Sequence, residues 1–404
     1  EGVVSRTCKQ GVETLAELER WGLALRRREG GLPHTSAAPG HKTPRLTGCG
    51  DSTVREVTRV LEEQAIKRGI QRNADSIPLS IVSDNSQIRG VVTLDVPTGR
   101  IDAIQTKAVI LATEGHQGLW SKPSDGSGTG SALAISAGID LKGVEFTPRH
   151  PLTIRDCGIH IPMDVLGSGG RIRRENGDDV GPEEALEGET CVLDLRQMDA
   201  DAKVWFSQTS MRIMDRLGID ISQDVIPLSP GVAYTTGGAP SDAQGRVIFQ
   251  GHTTEGLPAE LWHTGLYAAG RSAHTGMHGS NALPGNLLLD DLVSGKASGE
   301  HASEWAKEIK FGGDNQIEEA VKGESARISS IMGGDGMTVA KFHSKLTSAI
   351  SSGSSNEASL AEVRAIKDTG ISLSDTSSVM NTEMVEALRL VGLASIAEAI
   401  LTSG

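Results

Sequence analysis

Gly265-Leu266-Tyr267-Ala268-Ala269-Gly270, then Thr275-Gly276-Met277-His278-Gly279-Ser280-Asn281, then Gly285-Asn286-Leu287-Leu288-Leu289-Asp290 form the stretch that decides the fold. An apolar strand runs straight into glycines, and a leucine-rich helix starts beyond them. That order presents backbone N–H groups and a helix N-terminus to a polar ligand, as α/β folds do. Glycine suits the turn because it alone bends freely and lets a ligand approach the backbone. The chain holds 49 glycines in 404 residues, many in short clusters between periodic segments.

Outward from this stretch, the first residues carry Val12, Leu15, Leu18 and Trp21 at helical spacing, which predicts a helix over 11–21. Residues 26–50, rich in Gly, Pro and His, read as a long loop of the kind that is often functional. A second helix is expected over 53–68, with Val54, Val57, Val60 and Leu61 on one face. Between 76 and 112, β-prone runs at 77–81, 90–94 and 108–112 alternate with Asp-Asn and Pro-Thr-Gly turns. They predict a small antiparallel sheet ending in one buried strand. A helix over 131–137 follows, then a mixed region at 145–230 containing a basic run, 171–174, and a helix near 200–217. Residues 300–404 are helical by periodicity, with Ser/Gly linkers at 348–355.

Composition narrows the class. A hydrophobic fraction of 37% and a charged fraction of 23% suit a soluble protein with two or three domains. The net charge of -13 argues against a nucleic-acid surface, which needs clustered Lys and Arg. Cys8, Cys49, Cys157 and Cys191 are scattered without zinc spacing and read as thiols in a reducing compartment. No apolar run approaches the roughly 20 residues of a membrane helix, so membrane contact is expected only through a partner.

The glycine stretch resembles the flavin-closing segment of the FAD-dependent succinate dehydrogenase, fumarate reductase and L-aspartate oxidase flavoproteins. Three further segments match in the family's order. Ala108–Gly115 with Leu119 is similar to its strand and loop on the flavin diphosphate side. Val144-Glu145-Phe146 with His150-Pro151 is similar to its Glu-Phe-x-x-x-His-Pro motif. The 227–238 segment, ending Tyr234-Thr235-Thr236-Gly237-Gly238, is similar to its Pro-x-x-x-Tyr-x-x-Gly-Gly run. Asn381-Thr382-Glu383 and the residues after it look like its C-terminal helical domain. The resemblance implies an α/β fold: a Rossmann-like FAD-binding domain (1–144 and 236–300), an inserted α+β capping domain (145–235) and a helical domain (301–404). It also implies that the family's Gly-x-Gly-x-x-Gly strand–turn–helix would precede Glu1 and that an Arg-rich stretch would follow Gly404.

FAD is the implied cofactor, held by Thr113, Gly115, Gly270, Arg271, Gly276, His278, Gly279, Asn281, Asn286 and Leu287. The implied chemistry is hydride transfer between flavin N5 and a small organic acid, with His150, His278 and Arg171 as candidate catalytic residues. An iron–sulfur or quinone-reducing partner subunit is the implied electron relay, and the implied location is cytoplasmic. Several family positions are changed here. The His before Tyr-Thr is Ala233, and the carboxylate-clamping Arg after Gly-x-Asn is Ala282. Glu114 stands for a glycine, Arg271 for a glutamate and Ser131 for an aspartate. The family's Thr-Glu pair falls near 162–164, where neither residue stands, and the segment carrying its proton-shuttling Arg is deleted. Losing an Arg clamp costs on the order of 2–5 kcal/mol of binding to a buried anion. Arg149, Arg155, His160, Arg171, Arg173 and Arg174 are candidate replacement cations, or else a solvated basic face. A less anionic substrate and a non-catalytic subunit remain as alternatives.

Overall fold

A computed structural model describes residues 2–403 apart from 188–189, 314 and 353–354. Two helices open the chain, α1 (Gly2–Arg20) and α2 (Thr53–Lys67). Helix α1 begins well before the predicted 11–21 because part of the face it buries is polar. Thr7, Thr14 and Leu18 face inward, while Val12 is 73% exposed. Likewise α2 buries Val57 and Val60 and leaves Val54 and Leu61 outside.

Strands β1 (Ser76–Asp84) and β2 (Gln87–Asp95) pair antiparallel as expected, and β3 (Arg100–Gln105), which lies outside the predicted runs, pairs with β2 to complete a meander. The next strand, β4 (Val109–Leu111), does not extend it. It pairs in parallel with a distant strand, Leu266 opposite Val109 and Ala268 opposite Leu111. Of β4 only Leu111 is fully buried, and Ile110 is exposed, so the buried strand expected here is buried at one end. Helix α3 (Thr129–Ser136) follows.

A smaller unit then starts with α4 (Asp164–Gly167), β5 (Arg171–Arg174) and β6 (Asp179–Val180). It continues with β7 (Cys191–Asp194), α5 (Ala200–Trp205), α6 (Ser207–Leu217) and β8 (Ile226–Pro227). Its four strands pair in the order β6-β5-β7-β8, and its own core includes Leu152, Ile161, Leu193, Phe206 and Ile213.

The chain returns through β9 (Ala239–Pro240) to a hairpin, β10 (Arg246–His252) and β11 (Pro258–Ala268). Strand β11 joins the meander to β4, giving a six-stranded sheet in the order β1-β2-β11-β10, with β3 on β2 and β4 on β11. Gly265, at φ +83, makes this junction possible. A Cβ there would press on the carbonyl of Lys107 at 2.6 Å. After β12 (Ala273–His274) comes the long α7 (Asn286–Glu308).

The remaining chain is helical, as the periodicity predicts: α8 (Asn315–Met332), α9 (Val339–Ser351), α10 (Asn356–Thr369) and α11 (Thr382–Ser403), with a small pair β13 (Met337–Thr338) and β14 (Ile371–Ser372). The expected 348–355 linker begins inside α9, and 353–354 lie outside the described residues. Helix α11 buries Leu390, Leu393 and Ile396 against α3, α9 and α10. These helices and the large sheet share one core.

Candidate functional site

The ends of β4 and β11 meet side by side, and the turns beyond them carry most of the candidate cofactor residues. Thr113 is held from two directions. Its N–H donates to Ser272 Oγ at 2.9 Å, and its Oγ1 accepts the N–H of Gly130 at 2.8 Å. The start of α3 is thereby tied to both strand ends. Next to it, Gly115 lies so close to Thr235 that a Cβ would run into the Thr235 hydroxyl. That hydroxyl accepts the N–H of His116 at 3.0 Å and sits 3.3 Å from His116 Nδ1. His116 is completely buried, and burial pushes its pKa down to about 4, so the ring is neutral. Glu114 accepts the Ser127 hydroxyl at 2.6 Å. Burial opposes its charge, but the bonds from Ser127 outweigh that and pull its pKa below the ordinary value.

Across the gap, Gly270 donates its N–H to Ser294 Oγ at 2.8 Å. It is at φ +55, and a Cβ would collide with the Asp291 carboxylate. Arg271 points toward Asp291, 3.7 Å away. His278 Nε2 donates to Asp290 Oδ2 at 3.1 Å. Asn281 accepts the Tyr234 hydroxyl, while Asn286 and Leu287 open α7 behind Gly285.

This surface fits a flavin nucleotide. Gly276 and Gly279 have left-handed φ values of +74 and +56, and a Cβ on either would meet open space. Ser131 Oγ, Thr236 Oγ1 and Arg271 Nε are buried polar atoms without a protein partner. Buried polar groups ordinarily find partners, so these three fit the hydroxyl-bearing tail and heteroatom-rich ring of a bound cofactor. Among the described residues, no group of three or more His, Cys, Asp or Glu could hold a metal ion.

The smaller unit presents a second set of groups. His150 exchanges backbone hydrogen bonds with Gly231, and its Nε2 donates to the carbonyl of Ile161 at 2.8 Å. His160 lies edge-on to His150 with ring centroids 5.7 Å apart, and its Nδ1 is 2.9 Å from the Thr153 hydroxyl. Burial lowers both pKa values, that of His160 to about 4. His160 is therefore a neutral ring near pH 7 and not the replacement cation considered above. Asp164, close in sequence to the lost Thr-Glu pair, is pushed up to about 6 by burial, with the Asp51 charge adding to the shift.

The candidate cations of this region are largely occupied. Arg173 is bound to Asp194 at 2.7 Å and to Asp179 at 2.8 Å. Arg149 and Arg155 donate to the carbonyls of Pro230 and Leu228. Arg171 sits on β5, half exposed, 3.8 Å from Asp179, and donates to the carbonyl of Gly170. No bond ties it to His150. The segment 231–238 joins the two sets, running from Gly231 beside His150 to Tyr234 beside Asn281 and Thr235 beside Gly115. The His116–Thr235 contact has no sequence signal, because 119 residues separate the partners.

Parallel strand ends opening onto glycines, unpaired polar atoms and a helix start define an α/β cofactor-binding protein. The chain belongs to the FAD binding domain family, whose model matches residues 3–288. The succinate dehydrogenase flavoprotein subunit of Rickettsia bellii is 24% identical over 97% of this chain and 73% of its own length. The fumarate reductase flavoprotein subunit of Escherichia coli is 25% identical over 96% of this chain and 71% of its own. A solved quinol fumarate reductase of E. coli superposes with a TM-score of 0.88 at 23% identity, covering 99% of this chain and 75% of that one. That likeness bears on the fold. Among the described residues, no helix is long and apolar enough to cross a membrane.

Proposed function

We propose that this chain is an FAD-dependent oxidoreductase that moves a hydride between a small organic acid and flavin N5. The observation that carries the reading is the 231–238 segment, which hydrogen-bonds to His150 at Gly231 and to Asn281 through Tyr234. Bound FAD supplies the hydride-accepting centre. The 145–235 unit serves as a cap over the 1–144 and 236–300 cofactor domain, with 301–404 bracing that domain from outside. Closing the cap excludes water and orients the reacting carbon. His150 is held in one tautomer by the Ile161 carbonyl, which leaves Nδ1 as the ring's acceptor, able to take a proton or a hydrogen bond from a donor group of the substrate. His278 is oriented by Asp290, which fixes the edge of the glycine turn on the flavin side.

The named relatives are flavoprotein subunits, and on that ground we infer a partner subunit, iron–sulfur or quinone-reducing, that takes the electrons onward. A cytoplasmic location, with the membrane reached through that partner, is part of the same reading. A second reading, a substrate less anionic than succinate, is favoured by Ala233 and Ala282, neither of which can bind a carboxylate.

Anaerobic titration of the flavin-loaded chain with a panel of organic acids tests the proposal. At least one acid should bleach the flavin absorbance. His150→Ala should lower turnover at least tenfold and leave the flavin spectrum unchanged. A bound flavin that no donor reduces would identify a non-catalytic subunit instead.

A further inference from the structure

Residues 36–46 form a loop pinched at its base and seated on two parts of the molecule. The N–H of Ser36 donates to the Leu46 carbonyl at 2.7 Å, and that of Leu46 to the Ser36 carbonyl at 3.2 Å. Within the loop, the N–H of His41 donates to the carbonyl of Ala38 at 3.2 Å and bends the tip. A compact loop whose ends are tied together in this way shifts as one piece.

One side of the loop rests on the smaller unit. The carbonyl of Ala37 lies where a Cβ on Gly167 of α4 would stand. The tip rests on the turn that starts α7. A Cβ on Gly40 would be 2.6 Å from Leu283 Cδ2, and one on Gly285 would be 3.5 Å from Leu46 Cγ. His41 Nε2 donates to the carbonyl of Pro284 at 2.9 Å. Its Nδ1 is buried without a partner, so the Pro284 bond is what orients the ring. The same turn carries Asn281, which accepts the Tyr234 hydroxyl, and Asn286, whose N–H donates to the Leu283 carbonyl at 3.1 Å.

The smaller unit also has a direct seat. Trp205 packs on the cluster of Leu18, Val57 and Val60, which takes Leu288 and Leu292 of α7 as well. At Gly167, by contrast, the contact runs through the loop. Releasing His41 from Pro284 therefore loosens the α4 side while the Trp205 seat holds.

We propose that loop 36–46 is a clasp that couples the smaller unit to the glycine turn, with His41 as the positioning residue that carries the coupling. Its part in catalysis rests on the cap reading given above: the clasp holds the cap shut by tying α4 to the turn that bears Asn281 and Asn286.

Hydrogen exchange on the intact chain tests this at amides bonded on either side. On the turn side these are Asn286, bonded to Leu283, and Leu289, bonded to Gly285; in α4 they are Ser168 and Gly170, both bonded to Val165. His41→Ala should speed exchange on both sides about fivefold, the equivalent of one lost hydrogen bond. His41→Gln, which keeps an N–H donor, should restore both. Coupling is reciprocal, so Gly167→Ala should speed exchange at Asn286 as well as in α4.

Faster exchange on the turn side alone, no change on either side, or no recovery in His41→Gln would overturn the inference. An equal rise in α9 and α11 would mean general loosening and overturn it too. None of these measurements needs a flavin. In the flavin-loaded chain, His41→Ala should also roughly double the quenching of flavin fluorescence by iodide. Coupled exchange with unchanged quenching would keep the clasp and reject the cap reading.

Discussion

Asp164, His116 and His160 are among the single side chains through which the molecule responds to acid. Each histidine falls from about 6.5 unfolded to about 4 folded. Between those values the unfolded chain binds more protons, so stability falls as pH drops from 6.5 toward 4. Asp164 acts in the opposite sense. Its carboxyl rises from 3.8 to about 6, so the folded chain holds the extra proton and stability recovers with acid over that window. Each of the three contributes a slope of up to one proton, roughly 1.4 kcal/mol per pH unit, with the Asp164 contribution opposite in sign to the other two. Asp164→Asn removes the counterweight. Denaturant unfolding of the variant between pH 4 and 6 should give a slope steeper than the parent's by about one proton, roughly 1.4 kcal/mol per pH unit. An unchanged slope would mean that Asp164 is ionised in the folded state.

At the scale of elements, the smaller unit is fastened to the first loop region at two seats. In α4, Gly167 rests so near the carbonyl of Ala37 that any Cβ would strike it. Farther on, Asp51 donates its N–H to the carbonyl of Trp205 at 2.9 Å, and its side chain accepts the N–H of Thr209 in the first turn of α6 at 2.7 Å. Gly167→Ala should cost roughly 1–3 kcal/mol through overpacking at the first seat. Hydrogen exchange should then speed up in 164–170 and leave the helices at 337–400 as they were. Asp51→Ala, which loses a capping bond, should cost about 1 kcal/mol and free the start of α6. The long loop at 26–50 was legible as a loop from its Gly, Pro and His, but its contacts with the smaller unit were not. Ala37, Gly50 and Asp51 meet residues more than a hundred positions away, and contacts of that kind leave no local period. The same reason hid the parallel pairing of β4 with β11, whereas the glycine turn after β11 was readable because its signal is local. Helix α1 was half legible. Leu15 and Leu18 marked its second half, and the buried Thr7 and Thr14 gave the apolar pattern nothing to extend.

For the whole molecule, the buried side chains of the described residues fall into three clusters, one of them joining Leu18, Val57 and Val60 to Trp205, and the two larger ones need not unfold together. The core of the smaller unit, around Leu193, Ile213 and Phe206, shares no residue with the core around Leu346, Leu390 and Leu393. The chain crosses between them near 144–152 and again at 228–239. Few covalent crossings favour local opening of the smaller unit below the global unfolding energy. Leu193→Ala and Leu346→Ala remove equal volume from fully buried positions, and each should cost 2–5 kcal/mol in its own unit. Native-state hydrogen exchange should show Leu193→Ala speeding exchange in β5 and β7 while α11 keeps its protection. Leu346→Ala should lower protection in α9 to α11, and with it the sheet that carries the glycine turn. Flavin retention separates the two outcomes. A loosened cap leaves the Thr113–Ser272–Gly130 junction in place and should leave flavin binding nearly unchanged, while a loosened helical layer undermines α3, on which that junction rests. Equal loss of protection everywhere in both variants would show one cooperative unit, and the cap could then not open and close without unfolding its floor.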